Sequence, residues 1–361
     1  MNIKSLLIGS AAALAAVSGA HAADAIVAAE PEPLEYVRVC DAFGTGFFYI
    51  PGTETCLKFD GYIRFQTDFN RGTGFGDGTN NRTSDWNSFT RAQFNIDTRT
   101  DTELGALRGY IGLRGEANND SSRGVNVDQA FIELGGLKVG YMYTWWDDDL
   151  SGETDILSSN TTRGNALRYT YDAGSFYAGL SVEELDAGRD ISNLTNLSKG
   201  GSFEGNNNVG VSGIVGAKFG AVSANLLGSY DTDQENGAIR AIVTADVGPG
   251  TFALSGVWAS GANYYYEESE WTVAAEYAIK ATDKLTITPG AQYLGTIDIG
   301  ADNDFTGDRD AWRAGVTVDY QLTQGLAAKV AVNYQDVDGT EGIDLGAGDS
   351  WTGFVRLQRS F

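Results

Sequence analysis

Short segments in which apolar and polar residues alternate recur along almost the entire chain, and this recurrence constrains the fold more than any other feature of the sequence. Each segment runs for about ten residues and ends at a turn, which is the pattern of β-strands. After the N-terminal region, no apolar run reaches the roughly 18 residues that a membrane-spanning helix requires. The pattern predicts sixteen strands, near residues 56–69, 88–100, 105–117, 125–134, 137–144, 165–173, 175–185, 209–219, 221–231, 237–247, 251–260, 270–280, 284–296, 311–322, 326–337 and 349–361.

The connections between these strands alternate between short and long. Tight turns such as Gly220 and residues 281–283 contrast with long polar loops at residues 144–164 and 186–208. An even number of strands, with short turns at one end and long loops at the other, is typical of outer-membrane barrels. A soluble sandwich has no reason to segregate its loops in this way. The sequence therefore predicts an all-β fold over residues 56–361, a 16-stranded antiparallel transmembrane β-barrel with short periplasmic turns and long external loops.

The two faces of the predicted strands differ in character. In the first strand Phe59, Ile63 and Phe65 alternate with Lys58 and Arg64. Sixteen strands enclose a space too wide for their side chains to fill, so the polar face is expected to line a wet lumen. The apolar face then meets lipid, with tyrosines and tryptophans near the strand ends at the two membrane interfaces.

The N-terminus predicts export from the cytoplasm. Residues 1–22 combine a basic start, an apolar run and an Ala-His-Ala ending, which is the layout of a signal peptide cleaved between Ala22 and Ala23. Cleavage would remove His21, the single histidine of the sequence. The mature protein is therefore expected to lack Ser-His-Asp catalysis, Cys-His catalysis and histidine-ligated metal sites.

The sequence contains 2 cysteines, Cys40 and Cys56. In an exported protein the default expectation is a disulfide between them, worth about 3 kcal/mol in the loop-entropy model. Two free thiols are the alternative. We place the disulfide loop in a periplasmic N-terminal segment, residues 23–55, that precedes the barrel domain.

Acidic residues outnumber basic residues by 48 to 25. Phosphate binding needs clustered Lys and Arg, so this excess argues against nucleic acid as a partner. Residues 298–310 (DIGADNDFTGDRD) look like a calcium loop, but Arg313 stands where an EF-hand needs a glutamate. We therefore expect no metal site and no cofactor. Loose binding of divalent cations by exposed acidic loops, bridging lipopolysaccharide phosphates, stays open.

Both ends of the chain resemble a known family. The stretch EPEPLEYVRVCDAFGTGFFYIPGTETCLKFDGYIRF (30–65), the start MNIKSLLIGSAAAL and the end VRLQRSF resemble the general porins of the alphaproteobacterial outer membrane, the Brucella and Rhizobium type. In the last strand Trp351, Val355, Leu357 and Phe361 share one face, which is similar to the assembly signal of outer-membrane barrels. The resemblance implies a homotrimeric, water-filled channel in the cell outer membrane, in contact with lipid and lipopolysaccharide. Such a channel admits ions and small hydrophilic solutes by passive diffusion.

A general diffusion porin is thus the expected function. No enzymatic activity is expected, because without histidine only an acid-dependent hydrolase remains and nothing singles out its carboxylates. A substrate-specific channel would need a continuous track of aromatic or basic residues along the lumen. A structural or adhesive barrel without an open pore is the remaining alternative. The acidic excess predicts a modest preference for cations.

The sequence TWWDDDLSGETDILSSNTTRG (144–164) crowds two tryptophans and five acids into the third long loop. In sixteen-stranded porins this loop folds into the barrel and narrows it, so the resemblance implies an inward-folded third loop, and a solvated surface loop is the alternative. The acids expected at the pore constriction are Asp147, Asp148, Asp149, Glu153 and Asp155. The lumenal bases expected to face them are Arg64, Arg91, Arg108, Arg114 and Arg356. Acids facing bases would set ion selectivity through a transverse field. Trp145 and Trp146 are interpreted as packing residues.

Overall fold

The structure, a computed structural model, describes residues 38–72, 86–119, 123–159, 161–186, 208–300, 302–340 and 346–361. The predicted signal peptide and its cleavage point between Ala22 and Ala23 lie outside these residues. The unit Val39–Phe361 contains all of the described secondary structure. Among the described residues, no helix has the length and the apolar character needed to cross a membrane.

Sixteen long antiparallel strands form one closed sheet, in which each strand pairs with its neighbours in the sequence and the last strand pairs with the first. The strands are β1 (Cys56–Gly72), β2 (Trp86–Thr102), β3 (Gly105–Asn118), β4 (Val125–Leu134), β5 (Leu137–Tyr143), β6 (Arg163–Asp172), β7 (Phe176–Glu184), β8 (Val209–Phe219), β9 (Val222–Asp231), β10 (Asn236–Val247), β11 (Gly250–Ala259), β12 (Trp271–Thr282), β13 (Leu285–Gly295), β14 (Asp310–Thr323), β15 (Leu326–Val337) and β16 (Gly348–Ser360). The predicted all-β barrel is confirmed.

The turns that follow the even-numbered strands are short, as predicted. Gly135 and Gly220 occupy two of these turns with φ of +59° and +61°, a conformation that glycine adopts without the penalty paid by other residues. The connections at the other end, numbered L1 to L8 from the N-terminus, are longer. L5 contains only residues 232–235 and joins β9 to β10 as a compact hairpin.

The outer surface of the barrel carries the apolar residues of the alternating pattern. Ile63 and Val355 have 53% and 54% of their surface exposed, which identifies the outward face of β1 and β16. Trp258, Trp312 and Trp351 also point outwards and are 41 to 49% exposed. Exposed apolar side chains in this number suit hydrocarbon rather than water.

The segment before β1 is held against the barrel by a disulfide. Cys40 and Cys56 are bonded, with their Cα atoms 6.0 Å apart, as predicted. The short strand Phe48–Tyr49 pairs with the first residues of β1. Phe47 is 5% exposed, and the Arg99 guanidinium lies 5.1 Å from the centre of its ring. The disulfide loop therefore packs on one end of β1 and β2.

Candidate functional site

L3, residues 144–162, leaves the rim of the barrel and crosses its interior. Thr144 begins this path by accepting a hydrogen bond at its side-chain oxygen from the Trp146 amide, 3.3 Å away. A single 3-10 turn, Trp145–Asp147, follows. The chain then reaches the inward side chains of distant strands, so the predicted inward-folded third loop is confirmed.

The tip of L3 is fixed to the inner wall by hydrogen bonds from its own backbone. The Gly152 amide donates to Glu276 Oε2 on β12 at 2.6 Å. The Glu153 amide donates to Thr317 Oγ1 on β14 at 2.9 Å. Farther along, the Gln292 side chain on β13 accepts from the Ile156 amide and donates to the Ile156 carbonyl, both at 2.8 Å. Inward polar residues of three strands thus satisfy backbone groups that water would otherwise solvate.

The Glu153 side chain adds an ionic contact at the same tip. Its carboxylate lies 2.9 Å from Lys329 Nζ on β15 and 3.4 Å from Arg356 Nη1 on β16. Asn333 donates to the Glu153 carbonyl at 2.8 Å. Lys329 also approaches Asp319, at 3.4 Å. Of the five predicted acids, Glu153 is the one whose carboxylate directly contacts a predicted base, Arg356.

Two arginines hold the base of L3, and each covers one of the adjacent tryptophans. Arg240 on β10 is 1% exposed and donates to the carbonyls of Trp145, Trp146 and Leu157 at 2.5, 3.0 and 3.4 Å. Its guanidinium lies 4.9 Å from the centre of the Trp146 ring. Arg168 on β6 lies 4.3 Å from the centre of the Trp145 ring. The interpretation of both tryptophans as packing residues agrees with these contacts.

A second connection, L6 (residues 260–270), also lies inside the barrel. Its tyrosines Tyr264, Tyr265 and Tyr266 are between 0 and 3% exposed and pack with Trp146. Apolar inward side chains lie beneath them, namely Ile214, Leu227, Ile242 and Val257 on β8 to β11. We call the inner wall of β8 to β12, together with L3 and L6, the filled half of the barrel.

The inner wall of β16, β1, β2 and β3, which we call the open half, carries charged and amide side chains instead. Arg91, Arg108 and Arg114 each keep 21 to 25% of their side-chain surface accessible. The sequence predicted a polar, wet lumen along every strand. That expectation describes the open half but not the filled half, because the two inserted loops supply an apolar cover for β8 to β12.

The predicted basic residues of the open half fall into three groups. Arg64 and Arg91 lie directly opposite each other in the register of β1 and β2, and Arg64 is close enough to Arg356 for their charges to interact. Arg108 contacts Asp97 at 2.9 Å, and Arg114 contacts Asp128 at 3.0 Å. These last two bases are therefore neutralised locally by acids of neighbouring strands.

Several predicted bases also have polar partners that fix their side chains. Arg91 forms an ion pair with Glu116. Arg64 Nε donates to Gln358 at 2.8 Å, and Arg356 Nε donates to Gln66 at 2.5 Å. Each guanidinium is thereby held in the lumen at a defined position, which favours a fixed field over a mobile charge.

The remaining predicted acids lie along the lumenal surface of L3. Asp147, Asp148 and Asp149 are exposed, and Asp147 accepts a hydrogen bond from Thr162 at 2.7 Å. Asp155 accepts one from the Leu150 amide at 3.3 Å. Glu276 was not among the predicted partners of the loop.

The pKa values of three of these acids, Asp147, Asp149 and Asp155, are raised. Asp149 reaches lumenal water, yet protein surrounds it on most sides. This enclosure, followed by the negative charges of neighbouring acids, Asp155 first, raises the pKa of Asp149 to about 7. Enclosure by the barrel also raises the pKa of Asp147 and of Asp155. The negative charge on L3 therefore depends on pH in the neutral range.

The closed barrel with its inserted third loop has relatives among known proteins. The family model described as "Porin subfamily" matches residues 24–354. The chain belongs to this family. It is similar to "Outer membrane protein IIIA" of Rhizobium leguminosarum bv. viciae, at 50% identity over 93% of this chain and 90% of that protein. It is also similar to "Porin Omp2b" of Brucella neotomae, at 34% identity over the full length of both chains.

A solved structure shows the same fold at much lower identity. The outer membrane channel DcaP of Acinetobacter baumannii superposes with a TM-score of 0.66 at 14% identity, over 87% of this chain and 99% of that one. The resemblance to alphaproteobacterial porins is confirmed by the family and its relatives. This porin is an outer-membrane protein and a general diffusion channel, and its family indicates a channel rather than an enzyme.

Proposed function

We propose that ions and small hydrophilic solutes cross this porin through the open half of the barrel, between L3 and the wall of β16, β1 and β2. The observation that carries the proposal is the docking of L3 on β12 to β15, which places the loop across the lumen. The apolar packing of the filled half supports the same route, because hydrated ions avoid apolar surfaces that exclude water.

At the constriction, L3 presents acids and the opposite wall presents bases. The acids with this role are Asp147, Asp148, Asp149, Glu153 and Asp155. The bases are Arg64, Arg91, Arg108, Arg114 and Arg356. Glu153 is balanced by Lys329 and Arg356 at the tip, whereas Asp147, Asp148 and Asp149 are exposed. We therefore assign the expected modest cation preference to these three aspartates.

The oligomeric state, the membrane contacts and the N-terminal segment complete the proposed function. The chain acts as a homotrimer in contact with lipid and lipopolysaccharide, as the resemblance to general porins implies. Residues 1–22 serve as the signal peptide, and residues 23–55 form a periplasmic segment closed by the Cys40–Cys56 disulfide. The apolar outer belt supports the lipid contact.

Single-channel recording in a planar bilayer tests the proposed route. The refolded mature chain is compared with a variant in which Asp147, Asp148 and Asp149 are all changed to Asn. We expect openings in steps of three for both, with a lower cation-to-anion permeability ratio for the variant. Unchanged selectivity would remove the three aspartates from the constriction, and a folded barrel without current would contradict the channel itself.

A further inference from the structure

L6 is an external connection whose residues avoid the external solvent. Positions 261–269 are all buried, including the run of three tyrosines. Loops at this end of a barrel normally run over the surface, because backbone groups in a buried loop need protein partners. L6 finds such partners inside: the Tyr264 amide donates to Asp231 Oδ2 at the end of β9, 3.0 Å away.

The Tyr265 side chain extends this attachment to β7, the strand next to the filled half. Its hydroxyl donates to Glu183 Oε2 on β7 at 2.6 Å. Glu183 is 2% exposed and also accepts from Ser212 on β8, at 2.8 Å. A hydrogen bond to a buried carboxylate is stronger than one between neutral groups, so this contact fixes the position of L6 in the lumen.

L6 contacts L3 through hydrogen bonds to backbone carbonyls and through packing of aromatic rings. Ser159 of L3 donates through its amide to the Tyr265 carbonyl at 3.0 Å and through its hydroxyl to the Tyr264 carbonyl at 2.6 Å. The Trp146 ring lies 6.1 Å from the Tyr265 ring and 6.4 Å from the Tyr266 ring, measured between centroids. L6 therefore covers the part of L3 that Arg240 holds from the wall.

The neighbouring loop L7 (residues 296–309) also holds L6. The Ala262 amide donates to the Asn303 carbonyl of L7 at 2.8 Å. The Asn303 side chain donates to Gln234 of L5 at 2.9 Å. L6 is thus bonded to L7, which is bonded in turn to L5, as well as to L3 beneath it.

We propose that L6 is a second pore-narrowing loop, which fills one side of the lumen and keeps L3 at a fixed distance from the open half. Tyr265 and Glu183 act as positioning residues for both loops. This inference rests on the proposed route through the open half. L3 and L6 together set the diameter of the channel. The size limit for solutes then depends on residues of L6 that contact no solute.

The test uses two L6 variants of the full mature chain. In the first, residues 261–269 are replaced by a short Gly-Ser turn between β11 and β12. In the second, Tyr265→Phe removes only the hydroxyl that bonds Glu183. The matched control is Tyr293→Phe, since the Tyr293 hydroxyl also bonds a carboxylate, Asp310, at 2.5 Å, but lies on the exposed outer surface.

Single-channel conductance is measured for each variant, together with the size of neutral polyethylene glycols that enter the pore and reduce the current. Shortening L6 is expected to raise conductance by about twofold and to admit larger polymers, because ion flow scales with the open cross-section. Tyr265→Phe is expected to leave the mean conductance near that of the wild type and to increase transitions between current levels. Tyr293→Phe is expected to match the wild type in both measurements.

Wild-type current with unchanged size limit and unchanged fluctuations in both L6 variants would overturn the role of L6 and leave the proposed channel intact. Absence of current from a folded wild-type barrel would instead contradict the proposed function. If the shortened variant fails to fold, the comparison of Tyr265→Phe with Tyr293→Phe decides, because neither change removes a backbone segment.

Discussion

The filled and open halves of the barrel are built from the same alternating strands but keep water out to different degrees. In the filled half, Leu227 and Trp146 are 0% and 2% exposed, and the inserted loops give the inner wall a core like that of a soluble protein. In the open half, Arg64, Arg91 and Arg356 project into accessible space with polar partners. A sixteen-stranded sheet is too wide for its own side chains to fill. The difference shows that loops decide which part of the enclosed space remains a pore.

The two halves also use arginine in different ways. Arg240 is buried and donates hydrogen bonds to three carbonyls of L3, so its guanidinium holds the loop in position. Arg91 is 22% accessible at its side chain and forms an ion pair with Glu116, so its charge acts on the lumen. Arginine therefore has a structural role in the filled half and an electrostatic role in the open half.

The largest effect on stability is expected from removing Trp146, a buried tryptophan of the filled half. Trp146→Ala should lower the free energy of unfolding by about 3–5 kcal/mol, because a buried indole leaves a cavity and its hydrogen bond to Ser229, 2.8 Å, is lost. Trp351→Ala on the exposed outer face is the control and should cost clearly less. Urea denaturation in lipid vesicles, followed by tryptophan fluorescence, measures both. Equal losses of unfolding free energy in the two variants would contradict the distinction between a packed core in the filled half and a lipid-facing outer surface.

A somewhat smaller effect is expected for the arginine of the filled half. Arg240→Met should lower the free energy of unfolding by about 3 kcal/mol, since the carbonyls of Trp145, Trp146 and Leu157 lose their donor away from water. Arg91→Met in the open half should cost about 1 kcal/mol or less, because water replaces the lost contacts. The same denaturation experiment compares them. A greater loss for Arg91→Met would reverse the assignment of the two halves.

The contact between the halves, at the tip of L3, is expected to contribute less. Glu153→Gln keeps the shape of the side chain but removes the charge that faces Lys329 and Arg356, at a cost of about 1 kcal/mol for a partly exposed ion pair. The uncompensated bases should shift the reversal potential in a salt gradient towards anions. Asp319→Asn is the control, because it alters a second partner of Lys329 on the wall rather than on L3. A shift towards cations would contradict this arrangement.

The smallest effect concerns pH. Because the pKa of Asp149 is raised from 3.8 to about 7, its carboxyl is mostly protonated at pH 6 and mostly charged at pH 8. Cation preference should therefore increase modestly over this interval, and Asp149→Asn should reduce the increase. A raised pKa means that the folded state binds the proton more tightly than the unfolded state. Stability should fall as pH rises from about 4 to about 7 and show no further change from this group above that range. Reversal potentials measured at several pH values test the first point.

Much of the barrel was predictable because strand alternation is a local property. The first predicted strand, residues 56–69, became Cys56–Gly72, and the predicted strand 284–296 became Leu285–Gly295. The outward parity of Phe59 and Ile63 followed from the same alternation. The inward fold of L3 was expected from the resemblance to porins, since its composition alone also fits a solvated loop.

The filled half was not predicted, although a signal for it is present. The sequence of β10 and β11 contains apolar residues at both parities, such as Ile239 facing out and Ile242 facing in. Strands buried on both faces show such runs, and this pattern indicates an inner wall covered by protein. The tyrosines of L6 gave no such signal, because tyrosine is equally common at membrane interfaces. The partners of Glu153 are separated from it by 176 and 203 positions, so local patterns contain no information about them.

The most direct test of a pore confined to one half is chemical access to each wall. The protein has 2 cysteines, joined in the Cys40–Cys56 disulfide, so an introduced cysteine supplies a unique thiol. Arg64→Cys places it in the open half, and Ala238→Cys places it at a residue of the filled half that is 1% exposed. During single-channel recording, a cationic thiol reagent should reduce the current through Arg64→Cys within each opening and leave Ala238→Cys unaffected. Equal reduction in both variants, or block of Ala238→Cys alone, would contradict a pore that runs through the open half.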